Sequence, residues 1–326
     1  MRNKKRQNVA KKVVPIFYAC DDNFVKFTIV SISSLIKNAD KNREYVIYIL
    51  NAGISDEMKR ETLKLENECF CIKFVDVKEQ LKKIQTDLPL RDYYSKTTYF
   101  RLFIAEMFLE YDKAIYIDSD TVVLEDISKL YDVELKDNYV GACNEQAMVQ
   151  TEVYGNYVEK VMGISRHEYF NAGILLINCK LFREEKVLEK FINLLGVYTF
   201  VVTQDQDYLN VICHNRVLWL DQGWNTEVYG NIPVKEESIK IIHYIMVSKP
   251  WHYDDCKLKE YFWDAVENTS VKDSILCELQ KYSDEDRKKD FESCVRLAET
   301  AKQEALRIDT YINLVSKKKV LRGLKY

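Results

Sequence analysis

Residues 114–121 read Ala114-Ile115-Tyr116-Ile117-Asp118-Ser119-Asp120-Thr121. Four apolar residues predict a short buried strand, and two carboxylates one residue apart follow it at once. In open α/β sheets, ligands sit just beyond the carboxyl ends of strands. Two hard oxygen ligands there suit Mg²⁺ or Mn²⁺, and an ion so held can neutralise a diphosphate. A merely acidic turn after a strand is the plain alternative.

Upstream of this stretch, Val13–Ala19, Tyr45–Leu50 and Cys69–Val77 read as strands. They alternate with helical patterns over Phe24–Asn38 and Ser55–Glu68, the latter with Ser55 as its cap. Such alternation predicts βαβ units and a parallel sheet covered by helices on both faces. Thr98–Leu109 reads as a helix, and Tyr139–Cys143 and Ile174–Asn178 as further strands. Lys180–Leu195 and Thr203–Ile212 read as helices, and Ser238–His243 returns to strand character. After about residue 265 glycine vanishes until Gly323, charge rises and apolar spacing turns helical. The expected organisation is a basic segment over 1–12, a catalytic domain over 13–265 and a helical extension with a basic tail over 266–326.

Composition narrows the function. With 48 Lys+Arg against 51 Asp+Glu the net charge is −3, so a chain built to grip nucleic acid is excluded. The 9 glycines form neither Gly-x-Gly nor the P-loop pattern, so any nucleotide is held another way. Nine scattered cysteines, an odd number without Cys-x-x-Cys, read as reduced thiols of a cytoplasmic protein. Residues 1–20 imitate a short secretion signal, but Pro15 and the following Asp21-Asp22 favour a first buried strand.

Two enzyme classes share apolar strand, Asp-x-Asp. One is the haloacid-dehalogenase-like phosphotransferases, satisfied locally by Asp118, Asp120 and Val122. They need a later acidic pair beside glycine and open near their first Asp; here Asp254-Asp255 has no such glycine, and about 100 residues of βαβ come first. The other class is the nucleotide-sugar glycosyltransferases. Ala19-Cys-Asp-Asp-Asn-Phe24, Tyr169-Phe-Asn-Ala-Gly-Ile174, Gln204-Asp-Gln-Asp207 and His243-Tyr-x4-Lys249-Pro-Trp251 decide between them. Together with the Asp-x-Asp, and in this order over about residues 13–255, they resemble glycosyltransferase family 8. These are retaining enzymes that include bacterial lipooligosaccharide α-galactosyl- and glucosyltransferases and glycogenin.

The resemblance implies a GT-A type, Rossmann-like fold with a mostly parallel central sheet. It implies Asp118, Asp120 and His243 as metal ligands, with Mn²⁺ the expected cofactor and Mg²⁺ the alternative. For the donor it implies contacts from Ala19, Asp21, Asn23, Phe24 and Ser119 around the nucleotide, and Lys249 at the diphosphate. Around the sugar it implies Arg101, which reaches the donor or braces the acidic site, then Asn171, Ala172, Gly173 and Asp205. Gln206 falls beneath the anomeric carbon. Asp120, Asp205 and Gln206 form the expected catalytic set. One departure stands out: Met246 occupies a place where relatives often carry glycine.

The implied reaction is transfer of a hexose, galactose or glucose, from a UDP-sugar to a glycan or lipid-linked acceptor in cell-surface polysaccharide synthesis. Glycogenin-like self-glucosylation is the alternative within the family. The tail carries Lys317, Lys318, Lys319, Arg322 and Lys325 among apolar residues, which suits an anionic membrane surface. The plain alternative for the tail is a solvated terminus, so the expected location is cytoplasmic, either free or peripheral on the inner face of the membrane.

Overall fold

The computed structural model describes residues 13–82, 84, 88 and 96–323. The basic segment 1–12 lies outside them, as do the side chains from Lys318 onward on which the membrane expectation rests. Ten strands are described: β1 Val13–Ala19, β2 Glu44–Asn51, β3 Phe70–Asp76, β4 Ala114–Ile117, β5 Thr121–Val123, β6 Val140–Ala142, β7 Ile174–Ile177, β8 Val217–Trp219, β9 Thr226–Glu227 and β10 Ile241–His243. Seven form a central sheet in the order β3-β2-β1-β4-β7-β6-β8, and β5-β10-β9 form a second, small sheet. The fold is the GT-A type α/β arrangement, with a helical C-terminal extension.

β1 pairs in parallel with β2 on one side and β4 on the other. The chain therefore winds outward through β2 and β3, then reverses and places β4 beside β1. A crevice opens at such a reversal, at the carboxyl ends of the two strands. Ala19 ends one strand and Asp118 follows the other.

β7 runs antiparallel to both β4 and β6, while β6 and β8 are parallel. Because β7 is reversed, its beginning meets the end of β4, with Ile174 opposite Ile117. This register delivers Asn171-Ala172-Gly173 to Asp118, whose N–H donates to the Gly173 carbonyl (2.7 Å). In the small sheet β5 pairs antiparallel with β10, Thr121 opposite His243, which brings the histidine to Asp120. Neither pairing is visible in a strand's own residues.

Four expected helices differ from the structure, the mildest case being Ser55–Glu68, which runs only over Asp56–Leu63. Thr98–Leu109 begins instead as a 3₁₀ turn over Lys96–Phe103 and becomes α-helical only at Ile104–Met107. Lys180–Leu195 breaks into Cys179–Glu184 and Val187–Leu195, with Lys186 left-handed at φ 52°. Phe182 and Val187 are both buried. Five residues apart, they would sit about 140° apart on a continuous helix, so the break re-phases the chain and buries both. Thr203–Ile212 is shifted to Asp205–Cys213, because Gln204 at φ 55° cannot be helical. The expected strand over Ser238–His243 is Ile241–His243, preceded by a 3₁₀ turn at Glu236–Ser238.

The extension is welded to the body. Trp251, Phe262, Val266 and Ile275 share one buried cluster with Phe27 and Val30 of the Val25–Asn38 helix. Farther on, Leu297 and Ala301 of the Asp284–Leu306 helix join the main core. All nine cysteines are free. Among the described residues no helix is long and apolar enough to cross a membrane.

Candidate active site

Asp118, Asp120 and His243 each offer one ligand atom, and these atoms lie within 4.8 Å of one another. His243 Nε2 is 3.2 Å from Asp120 Oδ1 and 3.9 Å from Asp118 Oδ2. The tautomer of this histidine follows from its neighbours. The Glu145 carboxylate accepts from Asn171 Nδ2 (2.8 Å), which fixes that amide. Asn171 Oδ1 then accepts from Asn225 Nδ2 (2.9 Å), and Asn225 Oδ1 faces His243 Nδ1 (3.0 Å). An amide oxygen only accepts, so Nδ1 carries the proton and the Nε2 lone pair points at the carboxylates. Two carboxylates and an unprotonated imidazole nitrogen fit a divalent cation.

Lys249 is buried. Its Nζ donates to Asp120 Oδ2 (2.5 Å) and to the Tyr244 carbonyl. Burial alone would push the Asp120 carboxyl up; the Lys249 ammonium beside it holds it well below the usual carboxylate range. Asp118 is fixed from the other side, where Tyr116 Oη donates to its Oδ1 (2.6 Å). Arg101 covers the Tyr116 ring at 4.6 Å and comes within 3.6 Å of Asp118.

Arg101 is 5% exposed, so its partners decide its role. It donates from Nη1 to the Ala172 carbonyl and from Nε to the Thr98 carbonyl (2.8 Å). Asp205 Oδ2 sits 2.8 Å from Nε without a hydrogen bond in line, so that contact is Coulombic and leaves a buried acceptor oxygen. Burial raises Asp205 to about 7, against the lowering pull of Arg101. A folded pKa above the unfolded one contributes stability at low pH that is lost as pH rises through the folded value. The metal-free protein is therefore expected to lose melting temperature between about pH 4 and 7, and to level off above that. Asp205→Asn should make that decline shallower in a thermal melt; an unaltered slope would contradict the assignment. Glu227, pushed far up by burial and then by the Glu145 charge, adds the same sign elsewhere.

Gln206 is held at both ends of its amide. Its Nε2 donates to Glu145 Oε2 (2.9 Å), and its Oε1 accepts the Ala172 N–H (2.8 Å). Asp207 plays a bracing part, accepting from Tyr157, Tyr169 and the Thr203 N–H.

The three ligand residues, Lys249, Arg101, Glu145, Asp205 and Gln206 line one cleft of about 380 Å³. Of the residues expected at the site, Ala19, Asp21, Phe24, Arg101, Asp118, Ser119, Asp120, Asn171, Asp205, Gln206, His243 and Lys249 line it. Ala172 and Gly173 lie just behind, touching it through Gln206 and Asp118. Asn23 is exposed and outside the lining, and its N–H donates to Asp21 Oδ1 (3.0 Å). Met246 has a left-handed backbone at φ 56°. The conformation natural to glycine is kept there, at a cost in strain.

Sequence reasoning missed Glu145 and Asn225. Glu145 comes just after β6, and position beyond a strand end is the signal that finds it. Asn225 stands alone in Gly223-Trp224-Asn225, with no spacing that ties it to His243.

With this geometry in hand, the comparisons with known proteins agree. The profile of Glycosyl transferase family 8 matches residues 15–255, and the chain belongs to that family. A Haemophilus influenzae protein provisionally named a glycosyltransferase is 33% identical over 247 residues, 73% of this chain and 72% of that protein. The Salmonella typhimurium lipopolysaccharide 1,3-galactosyltransferase is 28% identical over 267 residues, 78% of each chain. Among solved structures, galactosyltransferase LgtC with donor and acceptor sugar analogs matches at TM-score 0.66 and 26% identity, over 79% of this chain and 96% of that one. The bifunctional glycosyltransferase WbbM matches at 0.73 and 28% identity, over 84% of this chain and 53%, about half, of that one.

Proposed function

We propose that the chain moves a hexose, galactose or glucose, from a UDP-sugar to a glycan or glycolipid acceptor, with retention of anomeric configuration. The observation that carries this reading is the convergence of Asp118, Asp120 and His243, drawn from separate segments, beside the buried Lys249. Residues 13–265 serve as the catalytic domain, and 266–326 as an extension that shapes its cleft. The basic tail suits contact with an anionic inner membrane face. The relatives named for lipopolysaccharide synthesis support a cell-surface product.

Asp118, Asp120 and His243 would hold a Mn²⁺ ion, which when bound would supply charge neutralisation for a departing diphosphate. Lys249 adds a fixed positive charge at the same place, aimed where negative charge grows. Phe24 offers a ring face to uracil and Asp21 an acceptor for its N–H. Arg101, tied to Ala172 and facing Asp205, holds the sugar-lining segment rigid. The buried Asp205 Oδ2 is ready to accept a sugar hydroxyl. An amide oxygen is weakly basic, so Gln206 supports the positive charge of an oxocarbenium-like state rather than bonding to it. The acceptor hydroxyl attacks the face from which UDP departs, and a β-phosphate oxygen takes its proton.

Retention is tested by proton NMR during early turnover. Hexose released to water, or linked to an acceptor, is expected to appear first as the α-anomer. Initial β product would overturn the stereochemical part of the proposal.

A further inference from the structure

The donor reading accounts for one part of the cleft. Its lining also includes Met148, Tyr154 and Met246, and Tyr282, Asp290 and Leu297 from the C-terminal extension. The last three lie beyond residue 255, where the family match ends. They belong to the extension, outside the residues that the family profile covers.

This wall is fixed in place. The Asp284–Leu306 helix starts at a capping box, where the Ser283 side chain accepts from the Asp286 N–H and Asp286 accepts from the Ser283 N–H. Near that end Asp290 Oδ2 accepts from both Tyr253 (2.8 Å) and Tyr282 (2.6 Å). The His252 ring covers one face of Tyr282, with centroids 3.8 Å apart and planes 8° apart. His252 in turn meets Glu278 (2.9 Å), which pairs with Lys26. Seven residues further along the helix, Leu297 and then Ala301 are buried in the main core. The helix thus crosses beside the cleft, anchored at both ends.

Retention by same-face attack puts the acceptor next to the diphosphate, in the cleft that Lys249, His252, Tyr282 and Asp290 all line. Asp290 and Leu297 are about 10 Å apart along the helix. A disaccharide spans that length and a monosaccharide does not. The chemistry suits carbohydrate: Tyr282 has a ring face and an edge to offer, and a carboxylate that already takes two phenols keeps lone pairs for a third hydroxyl. An acyl chain there would desolvate Asp290 without giving it a partner.

We propose that Tyr282 and Asp290 form an acceptor subsite for the second sugar unit of a saccharide acceptor, so that the C-terminal extension selects for acceptors of two or more units. This rests on the hexosyltransferase reading above.

The test compares lactose, maltose and cellobiose with methyl galactosides and methyl glucosides as acceptors, with donor hydrolysis measured in parallel. At least one disaccharide should be preferred. Tyr282→Ala and Asp290→Asn should each raise its KM about tenfold, well beyond their effect on donor hydrolysis or on kcat. Tyr282→Phe keeps the ring and should recover most of the loss. If no disaccharide in the panel is preferred, the proposal is overturned. It is likewise overturned if both variants lower donor hydrolysis and transfer alike, or if long-chain alkyl monosaccharides are preferred with no sensitivity to Asp290. Absence of any UDP-hexose turnover by the wild type would instead sink the hexosyltransferase reading.

Discussion

Asp120→Asn is expected to lower UDP release from the preferred UDP-hexose by about a thousandfold at saturating Mn²⁺, within the range found when one charge-stabilising group is removed. The substitution keeps the side chain's volume and removes its charge. It reaches two partners at once, because Oδ1 lies 3.2 Å from His243 Nε2 and Oδ2 lies 2.5 Å from Lys249 Nζ. Removing one partner of a buried ion pair costs about 3–5 kcal/mol, so a lower melting temperature is part of the expectation. Rates are therefore normalised to folded protein by circular dichroism. A loss below tenfold would remove Asp120 from the centre of the account.

Gly173→Ala is the second change with a large expected effect, and it adds only a methyl group. A Cβ at residue 173 would stand 2.3 Å from His243 Cε1 and 2.7 Å from Asp118 Oδ2, with Asn171 Oδ1 at 2.9 Å. None of these neighbours can yield cheaply. His243 is held through Asn225 and Asn171 to Glu145, and Asp118 by Tyr116. Overpacking of this kind costs about 1–3 kcal/mol. Here the strain falls on the ligand geometry, so Mn²⁺ affinity should drop about 10- to 100-fold, as when the groups that orient metal ligands are removed. Manganese titration followed by electron paramagnetic resonance reads this directly. Affinity equal to wild type would mean that the three ligands do not hold the ion together.

The parts of this molecule legible in sequence are those whose signal is local. The strand ending in Asp118 could be read because four apolar residues abut two carboxylates. β1, β2 and β3 could be read from alternation with amphipathic helices. The GT-A arrangement and the family followed from motifs in order. What was not legible depends on pairing across the chain. The reversed β7 carries the same apolar Ile174–Ile177 run that a parallel strand would, yet its direction is what brings Gly173 to Asp118. His243 was recognisable from its flanks, but Asn225, which sets its tautomer, is joined to it only through the fold. The broken helix at Lys186 has one continuous helical pattern in sequence, and only the demand to bury both Phe182 and Val187 reveals the break.

The most direct measurement is UDP release by the wild-type protein from a panel of UDP-sugars, with Mn²⁺ and with chelator, without acceptor. The account predicts slow hydrolysis of one UDP-hexose, galactose or glucose, that disappears on chelation and returns when Mn²⁺ is restored. Failure to bind or cleave any UDP-sugar under either condition would contradict it.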